Sequence, residues 1–226
     1  RTARNKGIQI QFGGAELLDD FSALMKKTEN RKNIHLRGKN YYQKLLDTYP
    51  DHSYITLSSI DLKARLEDLQ AQLTKTLKEA EKFTEKTKPG KIENNQQEQK
   101  RLQEEIDFLQ DKISQGAAVV PLSGTLVLEY GKTSENIYAG MDEEYRRYQP
   151  AIITWYETAK HAFERGADWQ NMGGIENDLK GGLYSFKSKF NPTIEEFAGE
   201  FNLPTNPLYH LSNLAYTIRK KLRSKH

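Results

Sequence analysis

The stretch from Leu62 to Ile113 constrains this chain more than any other. Leu62, Leu66, Leu69, Leu73, Leu77, Ala80 and Phe83 recur at steps of three and four through sequence rich in Lys, Glu and Gln. Leu102, Ile106, Leu109 and Ile113 resume the same spacing. That period places the apolar side chains on one narrow stripe of a helix. Between the two runs, Lys88-Pro89-Gly90 interrupts the helix, because Pro lacks an N–H and Gly disfavours continuation. Two stripes too narrow to be buried alone predict an antiparallel helical hairpin over 61–116, each helix covering the other. An arm of about 25 residues at 1.5 Å each projects roughly 40 Å. The seam loses its apolar residues over Asn94–Gln99, which predicts a frayed tip.

The flanks read as mixed α/β. Ile8, Ile10 and Phe12 alternate with polar residues as a strand does, and Gly13-Gly14 end it. Leu17, Leu18, Phe21, Leu24 and Met25 predict a helix to about Asn30, and Tyr42, Leu45 and Leu46 a second over Tyr41–Tyr49. Tyr54–Leu57, Val119–Tyr130, Asn136–Ala139 and Trp169–Met172 are predicted strands. Tyr145–Arg165 is a predicted helix carrying the apolar residues Ile152, Trp155, Tyr156, Ala159 and Phe163, and Leu183–Phe190 a short one. Ile194, Phe197 and Phe201 fall in an extended segment. Asn206-Pro207 suits an N-cap and first helical position, opening a helix that carries Leu208, Leu211, Leu214, Ala215, Ile218 and Leu222. The expected organisation is one discontinuous α/β domain, 1–60 and 117–226, interrupted by the 61–116 hairpin.

Composition narrows the chemistry. With 226 residues, 36% of them apolar, twelve Tyr and nine Phe, the chain supports a sizeable core. It has no cysteine, so thiol catalysis, Cys–Zn sites and disulfides are excluded, and a reducing cytoplasm suits it. No apolar run approaches the roughly 20 residues of a membrane span. A net charge of +3 is too small to argue for nucleic acid by itself. Nucleotide loops, the nucleophile elbow G-x-S-x-G and the zinc helix H-E-x-x-H are all missing. His35, His52, His161, His210 and His226 show no metal-ligand spacing. No cofactor is implied. Paired acids such as Glu143-Glu144 and Glu195-Glu196 read as solvated faces.

Several local strings, in order, resemble the FemABX family of tRNA-dependent peptidyltransferases. Arg1–Lys6 followed by Gly7-Ile8-Gln9-Ile10 is similar to that family's entry into its second acetyltransferase-like subdomain. Phe21-x-x-Leu24-x-x-x-Thr28-x-x-Arg31 and Arg37-x-x-x-Tyr41-Tyr42 resemble its acceptor-side helices. The hairpin follows in the corresponding place. Tyr138-Ala139-Gly140, the helix with Trp155, the Gly173-Gly174 turn and Leu183–Phe190 come next. Glu196-Phe197-Ala198-Gly199-Glu200 and Asn206-Pro207-Leu208-Tyr209 complete the order.

The resemblance implies an α/β, acetyltransferase-like (GNAT-type) fold with an inserted antiparallel two-helix coiled coil. It implies a cytoplasmic enzyme, at most peripheral at the inner face of the membrane, that moves an amino acid from aminoacyl-tRNA to the stem-peptide amine of a lipid-linked or UDP-linked muropeptide, and the serine/alanine-adding branch looks nearer than the glycine-adding one. The family's first subdomain does not precede Arg1, so the chain is expected to be a C-terminal portion, inactive by itself.

The same resemblance implies particular residues. Lys187 matches the lysine that contacts the aminoacyl ester, where a fixed ammonium stabilises a developing oxyanion; the plainer reading is a surface lysine between Phe186 and Phe190. Phe186 would line the entry of the tRNA end, or be core. Arg37 and Tyr41, i and i+4 if the helix starts early, would hold the acceptor's diphosphate, since a guanidinium suits phosphate and a phenol adds a neutral donor. Tyr138 would add a further acceptor contact, or simply pack on its strand. Arg219, Lys220, Lys221, Arg223 and Lys225 suit tRNA phosphates, an anionic lipid surface, or a helix C-terminus without any partner. Two competing functions remain at this stage. One is a non-catalytic module presenting the coiled coil to RNA or protein. The other is an acyl-CoA transferase, against which the missing pyrophosphate loop argues.

Overall fold

A computed structural model describes residues 2–199, 201, 203–206 and 208–223. Expectations that involve Arg1, Glu200, Pro207 and Lys225, or the side chains of Lys220, Lys221, Leu222 and Arg223, lie outside the described residues. Two compact units make up the chain, 1–187 and 188–226.

The first unit contains α1 (Thr2–Asn5), β1 (Gln9–Gly13), α2 (Leu18–Lys32), α3 (Lys39–Thr48), β2 (Ser53–Asp61), α4 (Leu62–Ala80), α5 (Pro89–Ser114), β3 (Val119–Tyr130), β4 (Thr133–Met141), α6 (Pro150–Glu164), β5 (Trp169–Asn171) and α7 (Gly182–Lys187). The five strands lie in the order β1-β2-β3-β4-β5. The first four pair antiparallel, and β5 joins β4 parallel. This is the expected α/β class with a helical hairpin inserted between β2 and β3.

One face of the sheet is apolar. Ile55, Leu57 and Leu126 pack there against Leu18, Phe21, Leu24 and Met25 of α2 and Tyr42 and Leu46 of α3. Helix α2 crosses β4 so closely that a Cβ at Gly140 would stand 2.9 Å from the backbone of Leu24, and the Met141 N–H donates to Thr28 Oγ1 at 3.1 Å. The opposite face meets α6 through hydroxyls. Thr56 and Thr125 are buried there with Thr154 and Thr158 of the helix, and the Thr125 and Thr158 Oγ1 atoms are 3.0 Å apart.

Helix α6 corrects the sequence reading twice. The expected single helix Tyr145–Arg165 is a 3-10 segment, Glu143–Tyr148, followed by α6, and the two are split by Gln149 at φ 55° with Pro150 at the first helical position. The buried face is Ile153, Thr154, Thr158 and Ala162, while Tyr156 and Phe163 are half exposed. A threonine whose hydroxyl bonds the carbonyl four residues back can be buried without an unmet donor. Thr154 donates to Pro150 O and Thr158 to Thr154 O, at 2.9 and 2.7 Å.

The hairpin's base is continuous with the main core. Leu62, Leu69, Leu102, Ile106 and Leu109 form one buried cluster with Ile8, Ile60, Leu122, Tyr145, Tyr148 and Ile153. Within it, Arg65 donates through Nε and Nη2 to one oxygen of Glu105, at 3.0 and 2.8 Å. Pro89 opens α5 rather than sitting in the gap, at the position where its missing N–H removes no bond. Asn94–Gln99 does not fray. Asn95 is buried, donates to Thr76 O at 3.0 Å and accepts from Gln99 at 2.7 Å, so amide bonds replace the missing apolar contacts.

The second unit carries a 3-10 turn, Ser188–Phe190, residues 191–199 without regular secondary structure, which hold Ile194 and Phe197, and α8 (Leu208–Arg223). The Asn206 side chain accepts from the Leu208 N–H at 2.9 Å, as an N-terminal cap does.

Candidate functional site

Lys187 ends α7, whose start is held by an acid. Glu176 accepts the backbone N–H groups of Leu183 and Tyr184, each at 3.0 Å, which places a negative charge where helix amides lack partners. The helix thereby returns over the turn after β5. Gly173 in that turn has φ +73°, a conformation that disfavours any side chain. Two carbonyls result that face inward, and the Lys187 Nζ donates to both, at 3.1 Å to Gly173 O and 2.6 Å to Gly174 O.

Only 7% of Lys187 is exposed, so it is not the surface lysine of the plainer reading. Its ammonium lies 5.8 Å from the centroid of the Trp155 ring, and Phe186 meets the same ring edge-on at 5.3 Å. Burial lowers the Lys187 pKa, and Glu176 opposes that shift. Three donors belong to an ammonium, and among the described residues carbonyls take two of them. The arrangement can fix a positive charge in a partly dry site and still offer an N–H.

Arg37, Tyr41 and Tyr138 come together on a different wall. Helix α3 starts at Lys39, so Arg37 precedes it instead of sharing a helical face with Tyr41. Its guanidinium still reaches the Tyr41 ring, 5.1 Å from the centroid. Tyr138 enters from β4, where a bulge lets Tyr138 oppose Leu126 while Asn136 opposes Val127. The extra residue turns Tyr138 to the α2/α3 face. Its ring lies 6.2 Å from Tyr41 and 5.1 Å from Tyr42, both edge-on. Burial and Tyr41 raise the Tyr138 pKa, and Arg37 pulls it down. A guanidinium flanked by two phenols presents several donors to an anionic group.

The structure therefore gathers the five residues singled out from sequence into two clusters. Lys187 and Phe186 surround Trp155 of α6, the helix that covers one face of the sheet, while Arg37, Tyr41 and Tyr138 belong to the other face. Sequence reading assigned no site role to Trp155, Glu176 or the Gly173 and Gly174 carbonyls. The Trp155 helix and the Gly173-Gly174 turn, both part of the resemblance, were the signals that pointed there. Among the described residues no group of His, Asp or Glu is arranged to hold a metal ion, and no helix is long and apolar enough to cross a membrane.

Comparison with known proteins adds identity to this geometry. The model of the FemAB family matches residues 1–217. A lipid II:glycine glycyltransferase of Staphylococcus epidermidis is 29% identical over 226 residues, covering 93% of this chain and 54% of that protein. Its counterpart in Staphylococcus aureus is 26% identical over 233 residues, with the same two shares. The chain thus spans about half the length of the curated relatives it matches. A crystal structure of FemX superposes with a TM-score of 0.58 at 23% identity, over 84% of this chain and 50% of that one, and so shares the fold. These relatives carry glycine in their names. The serine/alanine-adding branch suggested by the local strings is accordingly not supported.

Proposed function

This chain belongs to the FemAB family, and from that membership we propose that it carries the catalytic lysine and acceptor-holding wall of an aminoacyl-tRNA-dependent transferase acting on a lipid II-type muropeptide. The observation that carries the reading is the buried Lys187 ammonium, held on two carbonyls and 5.8 Å from the Trp155 ring centroid. Such a cation is already oriented and partly desolvated, so little reorganisation is needed when negative charge appears beside it.

In the proposed reaction the stem-peptide amine attacks the ester carbonyl of aminoacyl-tRNA. A C–N bond forms, the carbonyl oxygen becomes an oxyanion, and Lys187 donates its remaining N–H to it. The C–O ester bond then breaks, and the amine's proton passes to the departing ribose oxygen. Phe186 and Trp155 wall the entry of the tRNA end. Arg37, Tyr41 and Tyr138 hold the acceptor through its diphosphate, and proximity supplies much of the rate. Glycine is the amino acid we assign first, because the curated relatives transfer it by name. Radiolabelled glycine, alanine and serine on tRNA, offered with lipid II to the protein that carries this chain, test the assignment. Glycine transfer supports it. Transfer of alanine or serine alone overturns the amino-acid choice, and no transfer from any of the three overturns the reading.

The hairpin enters the same proposal as an appendage that contacts tRNA, with its base serving the core. Replacing 78–99 by a short Gly/Ser turn should keep a cooperative thermal transition, because that segment lies beyond the buried residues Leu69 and Leu102. Loss of the transition would show that the outer turns also belong to the core.

A further inference from the structure

The turn that joins β5 to α7 is closed twice, by side chains of opposite charge. Lys187 reaches back from the end of α7 to the Gly173 and Gly174 carbonyls. Glu176, just after that glycine pair, reaches forward to the start of α7. Its Oε1 accepts from the Leu183 amide and its Oε2 from the Tyr184 amide, each at 3.0 Å. Each side chain therefore bonds the backbone beside the other. Hydrogen bonds with one ionised partner are roughly twice as strong as neutral ones, so these two closures are stronger links than the turn's own backbone bond from Leu179 N–H to Glu176 O.

Helix α7 cannot place the lysine by itself. It has six residues, too few to be stable without outside support, so its position is set by what anchors it. Leu183, where Glu176 holds the helix, is about one turn, roughly 6 Å, from Lys187. A shift at that end is carried to the ammonium. The turn is also shaped to admit the carboxylate. A Cβ at Gly181 would stand 2.0 Å from the Glu176 carboxyl carbon. Gly181 is not one of the glycines with positive φ, so its missing side chain serves space and not backbone conformation.

We infer that Glu176 is a positioning residue for the transfer reaction: through α7 it holds the Lys187 ammonium on the Gly173 and Gly174 carbonyls, and Gly181 is the position that admits its carboxylate. The inference rests on the role proposed for Lys187. Glu176 acts in two ways, by fixing where the lysine points and by favouring its protonated form, since it is the charge that opposes the effect of burial on Lys187. The plainer alternative is a helix cap that serves stability alone. Such a cap would leave the pH dependence of the rate, and the division of effects between kcat and KM, where they are.

The test uses the protein that carries this chain, with aminoacyl transfer to lipid II as one readout. The other is acetic anhydride labelling of Lys187, followed by mass spectrometry. Gly181→Ala keeps every charge and displaces the flexible Glu176 carboxylate. It should lower kcat by about tenfold to a hundredfold with KM little changed, and raise Lys187 labelling by about tenfold as the lysine comes loose. Glu176→Gln keeps the reach and one acceptor, so kcat should fall by about tenfold. The alkaline loss of kcat should also move to lower pH, because burial of Lys187 is then unopposed. Asp178→Asn is the control. It removes the same charge from the same turn, where Asp178 accepts from the Lys180 N–H at 3.1 Å, and both readouts should stay as in the wild type. Lys187→Met tells two failures apart. If it lowers kcat while Gly181→Ala and Glu176→Gln keep the wild-type value, the inference is overturned and the role of Lys187 stands. If Lys187→Met also keeps the wild-type kcat, that role is overturned and the inference with it. Lys187 labelling unchanged by Gly181→Ala, or a pH shift equal in Asp178→Asn and Glu176→Gln, overturns the inference as well.

Discussion

The two faces of the sheet are built on different physics. Against α2 and α3 the contact is Phe21, Leu24, Ile55, Leu57 and Leu126, all essentially inaccessible. Against α6 it is largely threonine, with Thr56, Thr125, Thr154 and Thr158 buried. An apolar face gains stability roughly in proportion to the area it hides and tolerates variation in detail. A hydroxyl-lined face gains little unless each group finds a partner. The consequence is a division of labour. The apolar side supports Tyr138 and the start of α3, the wall proposed to hold the acceptor, and α6 supplies Trp155 to the buried Lys187.

The largest expected effect breaks the apolar face. Phe21→Ala should destabilise by about 3–5 kcal/mol, the usual cost of emptying an aromatic core position. Thr158→Val should cost roughly 1–3 kcal/mol, as it removes the bond to Thr154 O and strands the Thr125 hydroxyl. Chemical denaturation measures both, and equal losses would erase the contrast.

Next comes Lys187→Met in the protein that carries this chain. We expect kcat to fall by about two to three orders of magnitude, the usual effect of deleting one oxyanion donor, with acceptor binding little changed. The pH dependence carries a sign. Folding lowers the Lys187 pKa from 10.5, so the cationic form, and the rate that needs it, should be lost with rising pH at a lower value than for an ordinary lysine. The same shift makes protonated Lys187 a cost to stability, relieved as pH climbs through the lowered value. A rate that stays flat up to the ordinary lysine range would remove the cation from the mechanism.

Arg37→Met should act on the other face and in the other parameter, weakening the acceptor by about tenfold or more with a smaller change in kcat. A loss confined to kcat would place Arg37 with the chemistry. The smallest effect sharpens the reading of α6. Phe163→Ser should shift stability by no more than about 0.5 kcal/mol, because Phe163 is half exposed. A loss near that of Phe21→Ala would restore the apolar face that the sequence suggests.

Much of the architecture was legible because its signals are local. The three-and-four spacing of Leu62 to Ile113 reports a helix stripe within a few turns, and the alternation of Ile8, Ile10 and Phe12 reports a strand. Helix α6 was misread for the same reason. Periodicity counts Tyr156 and Phe163 as core because they are apolar, and it cannot see that Thr154 and Thr158 bury their hydroxyls on their own helix carbonyls. The outer hairpin was misread likewise, since a polar run such as Asn94–Gln99 gives no hint that Asn95 bonds across to Thr76.

Sequence by itself determined the α/β class, the inserted hairpin and the five residues worth examining, because segment order, helical period and local strings survive without coordinates. Tertiary structure alone decided that Lys187 is buried on the Gly173 and Gly174 carbonyls, that Arg37 reaches Tyr41 from outside α3, and that Tyr138 joins them. Tyr138 arrives from a segment far away in sequence, whereas the Lys187 bonds close a turn within its own neighbourhood and the Arg37 contact depends on where α3 starts. A bulge in β4, a left-handed turn at Gly173 and the acid cap on α7 fix those meetings, and none of them has a period to read.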